Sequence, residues 1–176
     1  MANRGIRPST TRSTAALWAK SLLNACLFFL LFMVALPWAA HWLLPAAIAL
    51  PGWLRAGGGG LFFFGGVVVW AVCLDLFSRR GRGTPFPLDA PRLLVTSGPF
   101  AWVRNPIMAA ELSVIWGEAL YVAGVGLALY AALCTLAAHL GVVLIEEPEL
   151  RARFGESYDA YCRRVPRWLP RLRGRI

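Results

Sequence analysis

Four apolar runs, each long enough or nearly so to cross a bilayer, leave this chain few ways to fold. A transmembrane helix rises 1.5 Å per residue and needs roughly 20 apolar residues. Residues 21–50, 61–78, 106–121 and 124–146 supply runs of that kind. The 176 residues are 58% hydrophobic and 15% charged, a balance that excludes an ordinary water-soluble domain. In hydrocarbon every backbone polar group needs an internal partner, so the runs are expected to be helical. The sequence predicts an all-α fold: one membrane domain, a polytopic bundle of about four transmembrane helices.

The first run holds Pro37 and Pro45 and reads as one crossing with a kinked end. Trp38, Trp42 and Trp53 suit the far headgroup level. Residues 51–60, PGWLRAGGGG, read as a flexible loop before the second run. At the end of that run Asp75 stands one helical turn before Arg79. Residues 79–105 are polar and rich in Gly and Pro, so they should form an ordered loop or short elements. The third and fourth runs are joined by a short turn at Val122 and Ala123.

Arginine placement sets the orientation. Arg4, Arg7, Arg12 and Lys20 lie in the basic tail 1–20; Arg79, Arg80, Arg82, Arg92 and Arg104 lie between runs two and three; the tail 147–176 is Arg-rich. The loop between runs one and two has only Arg55, and the turn between three and four has none. The positive-inside rule then puts both termini in the cytoplasm and brings the loop 79–105 and the C-terminal tail to one face. The charge of +9, from 18 basic and 9 acidic residues, suits anionic lipid headgroups rather than nucleic acid, because the arginines sit between apolar runs. Abundant Ala, Gly and Arg suggest a GC-rich bacterium, and with it an inner membrane. The retained first span is favoured over a cleaved signal peptide.

Cys26, Cys73, Cys134 and Cys162 are scattered and form no metal or redox motif, so no metal is expected. The tail begins with Glu146, Glu147 and Pro148, an acidic pair where the chain leaves the bilayer. Pro148 suits the first turn of a new helix, and the carboxylates its positive end. Leu150 and Phe154, then Tyr158, Tyr161 and Val165 beyond Gly155, mark an amphipathic helical segment with Arg163, Arg164, Arg167 and Trp168 at the headgroups. Asn105 and Pro106 read as a helix cap and first turn. Gly81 to Gly83 makes either a backbone anion nest or a simple turn. Glu111 and Glu118, and His139 and Glu146, are each seven residues apart and share helix faces. Glu111 and His139 lie at comparable depth and are expected to face the interior and to interact; both are candidates for a catalytic base, with a structural polar contact between helices as the alternative.

In order along the chain, GRG, LVTSGPFAWVRNP, a helical hairpin, EEPEL and FGESYDAYCRRVPRWLP resemble the isoprenylcysteine carboxyl methyltransferase and phospholipid methyltransferase family of integral membrane enzymes. The resemblance covers residues 79–171 and implies S-adenosylmethionine as cofactor, bound by the loop and tail at the cytoplasmic face. It assigns cofactor contacts to Gly81, Gly83, Arg92, Leu93, Leu94, Val95, Phe100, Asn105, Pro106, Ile107, Met108, Glu146 and Glu147, with Glu146 the stronger of the pair. By their chemistry, Arg104 or Arg92 would hold the cofactor carboxylate, and the glutamates its amino group or ribose hydroxyls. The implied acceptor is a membrane lipid or small apolar molecule entering from the bilayer. Val142 replaces the substrate-binding Arg of the prenylcysteine enzymes, which argues against a prenylcysteine carboxylate. Two other readings compete: an NADPH-dependent reductase related by resemblance to membrane sterol reductases, and a non-enzymatic membrane scaffold. The sequence leaves the oligomeric state open.

Overall fold

The computed structural model describes residues 23, 26–76 and 93–170, and among these it is helical with no strand. Helix α1 is Cys26–Leu43, α2 is Leu54–Leu76 and α4 is Val125–Phe154. All three are long and apolar enough to cross a membrane. Helix α3, Pro106–Val122, has 17 residues, at the lower limit for a crossing. A short helix, α5, Glu156–Arg164, completes the order.

Helix α1 contains a wide π-type turn at Leu31–Ala35, just ahead of Pro37. A proline removes one backbone donor, and a widened turn is one way for a helix to absorb the defect. The residues after Leu43 are extended and dock on the turn between α3 and α4. Ile48 donates its backbone N–H to the Ala123 carbonyl at 2.7 Å, and Val125 donates to that of Ala46 at 2.8 Å.

The expected loop at 51–60 is largely helix. The Pro51 carbonyl accepts from the backbone N–H groups of Leu54 and Arg55, and the helix runs on through Gly57–Gly60. Four glycines disfavour a helix in water, but in hydrocarbon an unpaired peptide group costs far more than their conformational freedom. Two of the glycines along α2 also permit close packing. A Cβ on Gly66 would stand 2.7 Å from the Ala110 carbonyl oxygen, and one on Gly59 would stand 2.9 Å from the Tyr121 nitrogen. The α2 and α3 backbones therefore touch, as small residues allow between membrane helices.

Helix α3 ends at Ala123, which takes a left-handed conformation at φ 55°. Helix α4 then packs on α3, and α1 packs on α4. Met33, Val114, Ile115, Ala119, Leu127 and Ala131 form the core among them. On the outer face of α4, Leu129, Leu133, Leu136, Leu140 and Leu144 are exposed, as a lipid-facing stripe would be. Helices α2 and α4 both pack on α3 and scarcely touch each other.

The end of α4 departs from expectation. Pro148 does not open a new helix, because α4 continues through it to Phe154. Continuity is achieved by a π-type turn at Val142–Glu146, where the Glu147 N–H reaches back to the Val142 carbonyl. One wide turn rotates the remainder of the helix by roughly a quarter turn against α-helical register. His139 and Glu146 therefore no longer share a face. The break comes later, at Gly155, whose φ of 51° turns the chain back into α5.

Candidate active site

The residues after Gly155 fold back onto the segment that leads into α3. Tyr158, Tyr161 and Val165 are buried and pack with Leu94, Leu150 and Phe154. Tyr161 donates its hydroxyl to the Phe100 carbonyl at 2.7 Å, and the Arg104 backbone N–H donates to the Pro166 carbonyl at 2.9 Å. Burial pushes the phenol pKa values of Tyr158 and Tyr161 upward. The described part of the loop, residues 93–105, and the tail up to residue 168 thus form one cap on one end of the bundle.

An ion cluster lies inside the cap. Glu147 is only 5% exposed. Arg167 donates to both of its carboxylate oxygens, from Nε at 2.6 Å and from Nη2 at 3.0 Å. This bond to Glu147 holds the Arg167 guanidinium above its ordinary pKa. Arg104 approaches Glu147 Oε1 with Nη1 at 3.2 Å, and the same Nη1 donates to Cys162 Sγ at 2.7 Å. A buried carboxylate is tolerable only when paired, and here two guanidiniums meet one carboxylate, leaving an excess of positive charge. Two buried donors, Arg104 Nε and Asn105 Nδ2, have no hydrogen-bond partner among the described residues.

Glu146, the next residue back, is exposed and forms neither a hydrogen bond nor an ion pair among the described residues. It lies within electrostatic reach of Glu111 on α3. Glu111 in turn accepts a hydrogen bond from Trp70 Nε1 of α2 at 3.3 Å. Three helices therefore each give one polar group to the same region: Trp70 from α2, Glu111 from α3 and Glu146 from α4. His139 is held elsewhere, accepting at Nδ1 from Trp168 Nε1 at 3.0 Å. The expected contact between Glu111 and His139 is not formed; each is bonded to a different indole.

The other residues singled out in the sequence are spread over several parts of the fold. Gly81, Gly83, Arg92 and the Asp75–Arg79 pairing lie in or reach into segments outside the described residues. Leu93 is exposed, whereas Leu94 joins the tyrosine cluster. Val95 and Phe100 pack with Cys73 in a second small core, which Ile107 borders. Asn105 and Pro106 are buried, and Met108 is half-buried. Asn105 stands at the start of α3 but makes no side-chain capping bond. Arg167 and Trp168, expected at the headgroups, turn inward to Glu147 and His139 instead. Sequence patterns did not reveal Trp70, nor the inward roles of Cys162, Arg167 and Trp168. Their partners lie 20 to 58 residues away in sequence, with no local pattern to announce them.

An apolar recess of about 420 Å³ opens between α2 and α3 beside the turn at Gly98–Ala101. Gly65, Val69, Trp102 and Ala109 are among its walls. Helical register puts it on the opposite side of the α2–α3 seam from Glu111.

Comparison with known proteins agrees with this architecture. The phospholipid methyltransferase family matches residues 53–157, which run from the start of α2 into α5. A similar protein is methanethiol S-methyltransferase 2 of Bradyrhizobium diazoefficiens, 31% identical over an alignment that covers 88% of this chain. The alignment spans 64% of that relative's own length. The matched region contains α2, α3, α4, the loop and the acidic pair, and with its membrane-length helices this chain belongs to the phospholipid methyltransferase family of membrane proteins.

Proposed function

We propose that the chain is an S-adenosylmethionine-dependent methyltransferase that acts in the membrane on a lipid or small apolar acceptor. The observation that carries this reading is the cap: an arginine-rich buried cluster with unmet donors, directly beside an uncompensated carboxylate. Family membership adds methyl transfer as the class of chemistry.

The residues present suit the cofactor's polar groups. Arg104 Nε and Asn105 Nδ2 are buried donors without a partner among the described residues, and such donors suit a carboxylate or the acceptor nitrogens of a base. Glu146 is a free acceptor for an ammonium. Glu147 is not free, since Arg104 and Arg167 occupy it, so its role is to hold those arginines in place. When bound, S-adenosylmethionine supplies an electrophilic methyl group on a sulfonium.

The rest is done by the chain itself. An apolar acceptor approaching from the bilayer would meet Glu111 in a water-poor setting, where alignment can supply much of the rate. Glu111, oriented by Trp70, can accept a proton from a protic acceptor. A small thiol acceptor accords with the activity for which the Bradyrhizobium relative is named, and a lipid acceptor with the family description. In this reading the cap faces the cytoplasm, where the cofactor is found, as the arginine distribution requires.

Methyl-labelled S-adenosylmethionine, incubated with the purified protein and membrane lipid extract or simple alkane thiols, should yield labelled organic-soluble product. In parallel, S-adenosylmethionine should raise the thermal midpoint and NADPH should not. Stabilisation by NADPH alone would favour the reductase; stabilisation by neither would favour a scaffold.

A further inference from the structure

His139 is one of only two histidines in the chain, and it sits on α4 eight residues before Glu147, about 12 Å deeper along the helix. Its Nδ1 accepts the indole N–H of Trp168 at 3.0 Å. The ring planes are tilted by 40°, with centroids 6.2 Å apart, so the indole meets the imidazole through this bond and not by face-to-face stacking. An indole N–H can only donate, so Nδ1 must be the unprotonated nitrogen. A neutral imidazole in that arrangement carries its proton on Nε2.

Nε2 has no hydrogen-bond partner among the described residues, and it is not sealed inside the protein. A bare N–H donor at this depth in a bilayer is costly unless something polar reaches it. The adjacent tail residue, Arg167, grips Glu147. Two consecutive side chains of the tail therefore hold α4 at two levels, one in the cap and one in the membrane.

We propose that Trp168 is a positioning residue that locks His139 as the Nε2–H tautomer, so that neither ring nitrogen is free to take a proton from the methyl acceptor. Of the two candidate bases this leaves Glu111, which accepts from Trp70 and keeps a second carboxylate oxygen for the acceptor's proton. The inference rests on the methyltransferase reading for the identity of the bound molecule, but the state of His139 can be read independently.

The test is long-range proton–nitrogen NMR on the full chain in detergent with ¹⁵N-labelled histidine, the two signals being assigned with His41→Gln. His139 should show the pure Nε2–H tautomer near neutral pH, and Trp168→Phe should convert it to a mixture of tautomers. A wild-type spectrum with the proton on Nδ1, or with mixed tautomers, overturns the proposal. So does a Trp168→Phe spectrum identical to wild type. If Trp168→Phe fails to fold, the wild-type spectrum decides alone, because the coupling pattern assigns the tautomer directly. A calorimetric titration of the same sample with S-adenosylmethionine separates the two levels. Binding with the wrong tautomer sinks this inference only, whereas no binding with the right tautomer sinks the parent reading and leaves the Trp168 lock standing.

Discussion

Arg167 places two nitrogens on the two carboxylate oxygens of Glu147, twenty residues earlier in the chain, at 2.6 and 3.0 Å. This fork fastens the tail to the end of α4, and Arg104 joins it from the loop. Glu147→Ala would leave Arg104 facing no carboxylate in a site where its side chain is only 10% exposed. Breaking such a buried pair costs about 3 kcal/mol or more. A chain of this size should then lose roughly 6–12 °C in thermal midpoint. Arg167→Ala should cost less, since its side chain is 30% exposed and water can reach it. Thermal unfolding in detergent checks the order, and equal losses for the two variants would contradict it.

Glu146 should behave in the opposite way to its neighbour. It is exposed and without a described partner, so Glu146→Ala should leave the thermal midpoint of the cofactor-free protein nearly unchanged. Affinity for S-adenosylmethionine should fall by about 1.5–3 kcal/mol, the worth of a charged hydrogen bond. Paired unfolding and binding measurements distinguish the residues: Glu147 chiefly supports the fold, and Glu146 chiefly supports binding.

The tyrosines of the cap give a pH signature. Burial raises Tyr158 and Tyr161 above the ordinary phenol value of about 10. A phenol whose pKa is raised by folding contributes stability that is full below the unfolded value and lost as pH climbs through the folded one. The cap should therefore loosen in alkali, beginning above about pH 10, and these two phenols should ionise only as it does. Tyrosinate absorbance followed together with tail proteolysis measures this. Ionisation of all four tyrosines near pH 10, with the tail still protected, would contradict it.

Helix α2 offers a contrast between adjacent glycines. A Cβ on Gly66 meets the Ala110 carbonyl, whereas a Cβ on Gly65 meets nothing within 4 Å. Gly66→Ala should cost about 1–3 kcal/mol by forcing α2 and α3 apart. Gly65→Ala should be neutral or stabilising by up to about 1 kcal/mol through helix propensity. The thermal midpoint reads the difference: Gly66→Ala should lower it, and Gly65→Ala should leave it unchanged or raise it.

Much of the architecture could be read from the sequence because the bilayer simplifies the problem. Apolar length located the helices, and arginine placement brought loop and tail together. The errors arose where one local rule met a stronger, longer-range one. Glycines 57–60 looked like a loop, yet hydrocarbon demands paired backbone and Gly59 admits α3. Pro148 looked like a helix start, yet a π-type turn at Val142–Glu146 carries α4 through it. That turn also governs which carboxylate of the pair points inward, a distinction that helical periodicity alone does not make. Trp70 lies in no motif, the tail motif that holds Trp168 names no partner for it, and only the fold brings their indoles to Glu111 and His139.

Calorimetric titration of S-adenosylmethionine into the pure, folded wild-type chain in detergent tests the central claim most directly. The cap, with its unmet donors and the free carboxylate of Glu146, should give a saturable isotherm approaching one site per chain. A folded protein that produces no binding heat, at temperatures chosen to vary the enthalpy, and no shift in thermal midpoint with the same ligand would contradict the proposed methyltransferase.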